Sequence, residues 1–237
     1  MLVHAALRKV GPVVGGADSV LWALRTAVGP WGTILAYTDW DGQDDVENYP
    51  EQRDQVQPFD PLTSRSIRNN GWFPEMLRTT PGALRSGNPG ASVAAIGGKA
   101  EWFTADHALD YGYGPQSPLG KLVEAGGKTL MLGAPLDTMT LLHHAEHLAQ
   151  SMPKIVRRYE TPMFINGAPQ WRIIEEFDTS DAPAGQPDDY FATIVKDFLA
   201  TGKGKRGPVG AAPSVLVKAS EIVPFAVNWM QRATAPR

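Results

Sequence analysis

Short apolar runs of about five residues, each closed by turn residues and separated by stretches of helical period, set the pattern of this 237-residue chain. Residues 33–37, 92–96 and 129–132 are mostly apolar and bounded by turn residues, so they predict strands of one sheet buried on both faces. Helical spacing predicts helices over 18–28, with Asp18 as N-cap, and over 137–150, 188–199 and 220–231. Such alternation predicts an α/β fold, a three-layer arrangement with a central mixed sheet flanked by helices.

Two features interrupt the alternation. Asn166-Gly167, between Met163-Phe164-Ile165 and Trp171-Arg172-Ile173-Ile174, predicts a hairpin because both turn residues tolerate positive φ. Residues 39–66 are polar, contain Pro50, Pro58 and Pro61 and keep no period, which predicts a long irregular insert. Gly and Pro punctuate the whole length without a repeat or a visible boundary, so a single domain over 1–237 is expected.

A net charge of −3 and a pI near 6.0 offer no field for a polyanion, which argues against nucleic acid and favours a cationic small molecule. There is no cysteine, which excludes disulfides, thiolate metal sites and a cysteine nucleophile. No run reaches the length of a signal peptide or membrane span, so a cytoplasmic location is expected.

The segment from Lys128 to Asp137 runs from buried strand into loop, where open α/β sheets place their sites, and Asp137 or Thr138 is expected to cap the next helix. On that helix Leu141, Leu142, Ala145, Leu148 and Ala149 predict an apolar face, and Thr140, His143, His144 and His147 a polar one. Glu146 lies three residues after His143, within reach to orient an imidazole base. The same spacing also describes a solvated face, and His143 with His147 suits a metal-dependent hydrolase. Against a metal, Glu146 is misplaced for the zinc-protease pattern and no third ligand is evident beyond Asp137. Periodicity alone does not choose among the three histidines.

The run Leu132-Gly133-Ala134-Pro135-Leu136-Asp137-Thr138-Met139-Thr140-Leu141-Leu142-His143-His144-Ala145-Glu146 closely resembles the signature of aminoglycoside 3-N-acetyltransferases. That resemblance selects His143 as the family's histidine. It implies His143, Glu146, Asp137 and Thr140 as catalytic residues. His4-Ala5-Ala6-Leu7-Arg8-Lys9-Val10-Gly11 resembles the family loop that holds the coenzyme A pyrophosphate, with Ala6 in place of a usual serine. Ser86 and Asn88 fall in a further segment implied to contact the coenzyme, Asn88 standing where histidine is frequent. The acceptor side is implied at Tyr37, Asp39, Trp40, Asp41, Asp60, Glu75, Asp110, Glu176 and Asp178, and Asp44, Asp45 and Glu47 extend the negative charge. Glu175 is expected on the opposite face of its strand from Glu176. The resemblance covers almost the whole chain; the family's N-terminal helix has no counterpart before Leu2-Val3-His4.

The resemblance thus implies acetyl transfer from acetyl-coenzyme A to an aminoglycoside amine, the 3-amine of 2-deoxystreptamine, with no metal and His143 as general base in a ternary complex. A covalent acetyl-enzyme is not expected, since no cysteine or nucleophile elbow is present. The alternatives are a hydrolase using a metal on His143 and His147, an acetyltransferase for a non-antibiotic amine, and a polyamine-binding protein without turnover.

Overall fold

The computed structural model describes residues 1–152, 154–179 and 187–233, with the side chains of Gln43, Asp44 and Ala233 outside the described set. Its first half builds one side of a sheet from β1 (Leu2–Ala5), α1 (Gly16–Val28), β2 (Thr33–Tyr37), α2 (Gly42–Asn48), α3 (Trp72–Thr79), β3 (Leu84–Arg85) and β4 (Val93–Gly97). The short helices α4 (Ala100–Thr104) and α5 (Pro118–Glu124) lead to β5 (Lys128–Leu132) and α6 (Leu141–Leu148). A hairpin, β6 (Val156–Ile165) and β7 (Ala168–Phe177), precedes α7 (Tyr190–Ala200), β8 (Lys205–Val209), β9 (Ala212–Lys218) and α8 (Ala219–Ala233).

The main sheet has the order β3-β4-β2-β1-β5-β9-β8. β1 pairs in parallel with β2 and β5, and the other pairings are antiparallel. Pleat alternation divides its side chains between two cores. Leu2, Leu35 and Ala95 join Met131, Val217 and the inward faces of α4 to α8. Their neighbours Val3, Ile34 and Ala94 pack instead against Leu21 and Leu24 of α1 and Phe73, Met76 and Leu77 of α3. The expected three layers around a mixed sheet are therefore present.

The predicted strands lie in that sheet, the second displaced by one residue to Val93–Gly97. The hairpin is longer than expected and forms a separate two-stranded sheet, turning at Asn166 (φ 52°) and Gly167 (φ 79°). It is joined to the 39–66 insert by a small core of Trp40, Phe59, Met163 and Ile174.

Several helix boundaries differ from expectation. α1 starts at Gly16 after Gly15, so Asp18 sits inside the first turn and is not its cap. The predicted 137–150 helix is two pieces, a 3-10 turn over Leu136–Thr138 and then α6. Neither Asp137 nor Thr138 caps it; Thr138 Oγ1 donates to Pro135 O at 2.8 Å, and Thr140 occupies the N-cap position without a side-chain bond. The insert contains α2 and a 3-10 turn over Pro50–Gln55, both too polar to show an apolar period.

α7 and α8 close one face of the sheet through fully buried Phe198, which meets Phe225 edge to face at 5.4 Å. Replacing Phe198 by Ala is expected to cost about 3–5 kcal/mol. Urea denaturation should show this as a lower midpoint with an unchanged slope.

Candidate active site

Parallel pairing brings the carboxyl ends of β1, β2 and β5 to one edge of the sheet, and the Ala6 N–H donates to Leu132 O at 2.9 Å across the first and last of them. Two cavities open at that edge. The first, about 350 Å³, takes in His4, Ala5 and Ala6 after β1, Asn70 to Gly71, and Asp137, Thr138, Thr140 and His143 after β5. The second, about 250 Å³, lies against the inner face of the hairpin and is lined by Asp39, Trp40, Glu47, Tyr113, Tyr159 and Glu176 among others. Tyr37 belongs to both.

His143 stands on the first turn of α6. Its Nδ1 lies 2.6 Å from Oε2 of Glu146, one turn on, and Glu146 is 7% exposed. The Tyr190 hydroxyl of α7 donates to the other carboxylate oxygen, and burial beside that carboxylate pushes the Tyr190 pKa far up, so the phenol stays protonated. A buried carboxylate anchored in this way orients the imidazole with Nδ1 toward Glu146 and Nε2 away from it. The ring is held between Tyr113 and Phe191, each with its centroid 4.9 Å away.

The other two histidines are used differently, which corrects the expected polar face. His144 is 4% exposed, its Nδ1 2.8 Å from Tyr113 O, whereas Leu148, expected on the apolar face, is 39% exposed. The His147 ring is packed on Phe177 at 4.8 Å, with Nε2 2.9 Å from Glu176 Oε1 but not aligned as a hydrogen bond. His143 and His147 thus face separate carboxylates. Among the described residues no group of three or more His, Cys, Asp or Glu side chains is arranged to hold a metal.

Tyr37 and Tyr113 form the partition between the cavities. Their hydroxyls are 2.6 Å apart, and both reach Gly90 O, at 2.8 and 3.1 Å. Burial first, and then the charge of Asp39, raises both phenols well above their ordinary range. Asp39 also accepts from Asn70 Nδ2, tying the two cavity rims together.

Of the residues expected on the acceptor side, Tyr37, Asp39, Trp40 and Glu176 line the second cavity. Glu175 points away, accepting from Arg158 Nε at 2.8 Å and from Tyr111 at 3.0 Å. Asp41 lies on a neighbouring groove with Asp45 and Tyr49. Asp60, Glu75 and Asp110 line neither cavity, because local structure occupies them. Asp60 accepts from Leu62 N–H and the Thr63 hydroxyl, at 2.9 and 3.0 Å. Glu75 accepts from Arg78 at 2.7 and 2.9 Å, which holds its carboxyl below the ordinary range. Asp110 accepts the Glu175 N–H at 2.8 Å. Asp178 stands 3.8 Å from Arg157 Nε.

The coenzyme-side set narrows in the same way. His4, Ala5 and Ala6 line the first cavity, while Leu7 and Arg8 begin a 3-10 turn and Val10 is buried against Leu132 and Ala212 before Gly11. Ser86 is fully buried, accepting the Val93 N–H at 2.9 Å and lying 2.8 Å from His107 Nδ1. Asn88 lines the second cavity, not the first, and clamps Ala108 O, Leu109 O and the Ala91 N–H. Sequence reasoning missed Tyr113, Tyr159, Asn70 and Tyr190 as site residues. Tyr113 lies three residues after Asp110, which was expected on the acceptor side; Tyr190 is brought in from a distant helix and carried no local signal.

A family model described as aminoglycoside 3-N-acetyltransferase matches residues 2–231. The chain belongs to that family. Aminoglycoside N(3)-acetyltransferase III of Pseudomonas aeruginosa is 45% identical to it over 238 residues, 98% of this chain and 86% of that protein. Aminoglycoside N(3)-acetyltransferase VII of Streptomyces paromomycinus is 41% identical, over 98% and 85% of the two chains. Among solved structures, AAC-IIIb in binary complex with CoASH superposes with a TM-score of 0.93 at 59% identity, over 98% of this chain and 89% of that one. Sisomicin-bound AAC-VIa superposes at 0.91 with 34% identity, over 99% and 91%. At the level of the family, the expectation of an acetyl-coenzyme A-dependent aminoglycoside N-acetyltransferase is met. No helix among the described residues is long and apolar enough to cross a membrane.

Around this acetyltransferase site, His107 anchors the loop that carries Tyr113, with Nε2 2.8 Å from Gly112 O. Burial lowers its pKa from 6.5 to about 4. Between those values the unfolded chain binds the proton that the folded chain refuses, so stability falls as pH drops from 6.5 toward 4. Denaturant midpoints across that window should fall, and His107→Asn should make the fall shallower, with His4, whose pKa burial also lowers to about 4, supplying part of the remainder.

Proposed function

We propose that this chain transfers the acetyl group of acetyl-coenzyme A to the 3-amine of an aminoglycoside's 2-deoxystreptamine ring, within one ternary complex. The observation that carries the reading is the position of His143. It lines the cavity of the β1 and β5 loops, with Tyr113 stacked against it as the wall toward the anionic cavity.

The coenzyme would lie in the first cavity, with its diphosphate beside the loop after β1, since the nearby Arg8 and Lys9 suit that group. The solved relative bound to CoASH supports the assignment. The acceptor would lie in the second cavity, where Asp39, Glu47 and Glu176 balance ammonium charge and Trp40, Tyr113 and Tyr159 offer aromatic faces. Sisomicin in one solved relative supports a polycationic acceptor of this class.

His143 Nε2 then takes the proton of the attacking amine while Glu146, held by Tyr190, stabilises the imidazolium that forms. The amine nitrogen bonds to the thioester carbon, the carbon–sulfur bond breaks, and His143 returns its proton to the departing thiolate. The oxyanion is served by the Thr140 hydroxyl or by amides at the start of α6, both at the first cavity. Asp137, on the 3-10 turn at the same rim, is placed to help orient the reactants. Acetylation removes a positive charge from the antibiotic, so the enzyme would act in the cytoplasm and confer resistance.

The test is thiol release from acetyl-coenzyme A with gentamicin, kanamycin or no acceptor, with and without EDTA. Release should depend on the acceptor and ignore the chelator. His143→Ala should lower kcat by about 10²–10⁴-fold, and Glu146→Gln by less. Turnover retained in His143→Ala would remove the base from this mechanism, and chelator sensitivity would restore the metal hydrolase.

A further inference from the structure

The second cavity carries its own cation. Arg157, Tyr159 and Thr161 of β6 and Ile174 and Glu176 of β7 lie on one face of the hairpin, where strand alternation presents them to the cavity. Among the described lining residues Arg157 is the sole positive charge, set among Asp39, Glu47 and Glu176. Its Nη2 is 3.6 Å from Glu47 Oε2 and its Nε 3.8 Å from Asp178 Oδ2. Both separations exceed hydrogen-bond length, in contrast with the fork of Arg78 on Glu75 at 2.7 and 2.9 Å. The side chain is 44% exposed and its guanidinium lies 5.6 Å from the Tyr159 ring.

We propose that Arg157 is an internal counter-ion of the acceptor cavity, a specificity-determining residue that competes with the acceptor's ammonium groups for Glu47 and Asp178. This inference rests on the proposed transfer to a polycationic acceptor. A guanidinium keeps its charge at every working pH, so an incoming ammonium must share or displace it. A hydroxyl, by contrast, accepts its N–H groups. Arg157 therefore favours acceptors that place a hydroxyl, not an amine, beside β6. The loose contacts to Glu47 and Asp178 leave it able to swing aside, which a tight bidentate pair would not allow.

Steady-state kinetics of Arg157→Gln and Arg157→Lys with kanamycin A and kanamycin B, which differ by one hydroxyl exchanged for an amine, test this. With Arg157→Gln, KM should fall about 3- to 10-fold, more for the amine-richer kanamycin B, and the change should lie in KM and not in kcat. The difference from wild type should shrink at about 0.5 M salt, and Arg157→Lys should resemble wild type. Glu47→Gln should raise KM. An Arg157→Gln enzyme whose KM is unchanged or higher for both acceptors overturns the proposal. If the wild type turned over neither acceptor, the acetyl-transfer reading would fail by itself. Calorimetric titration with spermine would then decide the counter-ion role, tighter binding to Arg157→Gln supporting it and unchanged or weaker binding overturning it.

Discussion

The parallel pairing of β1 between β2 and β5 is the constraint on which the remaining structure depends. Because the three strands run the same way, the loops after His4, Tyr37 and Leu132 emerge at one edge, and each contributes a part that is inert alone. The loop after β1 lines the first cavity, Tyr37 forms a shared wall, and the turn after β5 delivers α6 with His143 at its start. The antiparallel β4 and β9 close the sheet on either side without adding a crossover at that edge. A slip of one residue in β1 would exchange Leu2 and Val3 between the two cores and turn His4 away from the cavity.

A second dependence runs through Arg85. This side chain is 9% exposed, donates to Ser92 Oγ at 3.0 Å and reaches Thr38 O and Ser64 O, so one buried cation joins β3, the strand end before Asp39 and the far end of the insert. Burial lowers its pKa to about 10, yet the guanidinium remains charged at neutral pH. Asp39 and Trp40 therefore project from a braced segment, although the insert around them has little apolar content. Trp40 itself is anchored by Phe59, with ring centroids 5.7 Å apart, and that small core fastens the hairpin wall of the second cavity to the insert.

Much of this was readable in the chain. Residues 33–37 and 129–132 announced buried strands because they are mostly apolar on both faces, and Asn166-Gly167 announced its turn because few other pairs tolerate two positive φ angles. The position of His143 three residues before Glu146 was visible, but helical spacing could not tell it from His144 or His147. That distinction depends on tertiary neighbours: Tyr113 O for His144, Phe177 and Glu176 for His147, and Tyr190 behind Glu146. The carboxylates show the same limit. Composition cannot reveal that Glu75 is committed to Arg78, Asp60 to its own turn and Asp110 to the hairpin backbone, leaving Asp39, Glu47 and Glu176 to shape the cavity. The Pro50–Gln55 turn and α2 escaped notice because a helix with Val46 as its one buried apolar anchor has no stripe to detect.

Under the proposed transfer, the arrangement also resolves a conflict inherent in acetylating a polycation. Carboxylates that attract ammonium groups also hold their protons, so a site made only of acids would bind the amine in its unreactive form. Here the carboxylates lining the second cavity are Asp39, Glu47 and Glu176, whereas His143, the proposed base, lies beyond the Tyr37–Tyr113 partition. Glu146, the carboxylate nearest His143, is buried behind the imidazole and is engaged by both His143 and Tyr190, so in the proposed mechanism its charge would serve the base and not the bound amine. The partition phenols stay protonated because burial opposes their ionisation. They add polarity at the boundary without adding negative charge that would hold the amine proton in place. In the proposed mechanism, separation of the charge that binds from the base that deprotonates would thus follow from the sheet edge itself, since the hairpin and insert carry the first and α6 the second.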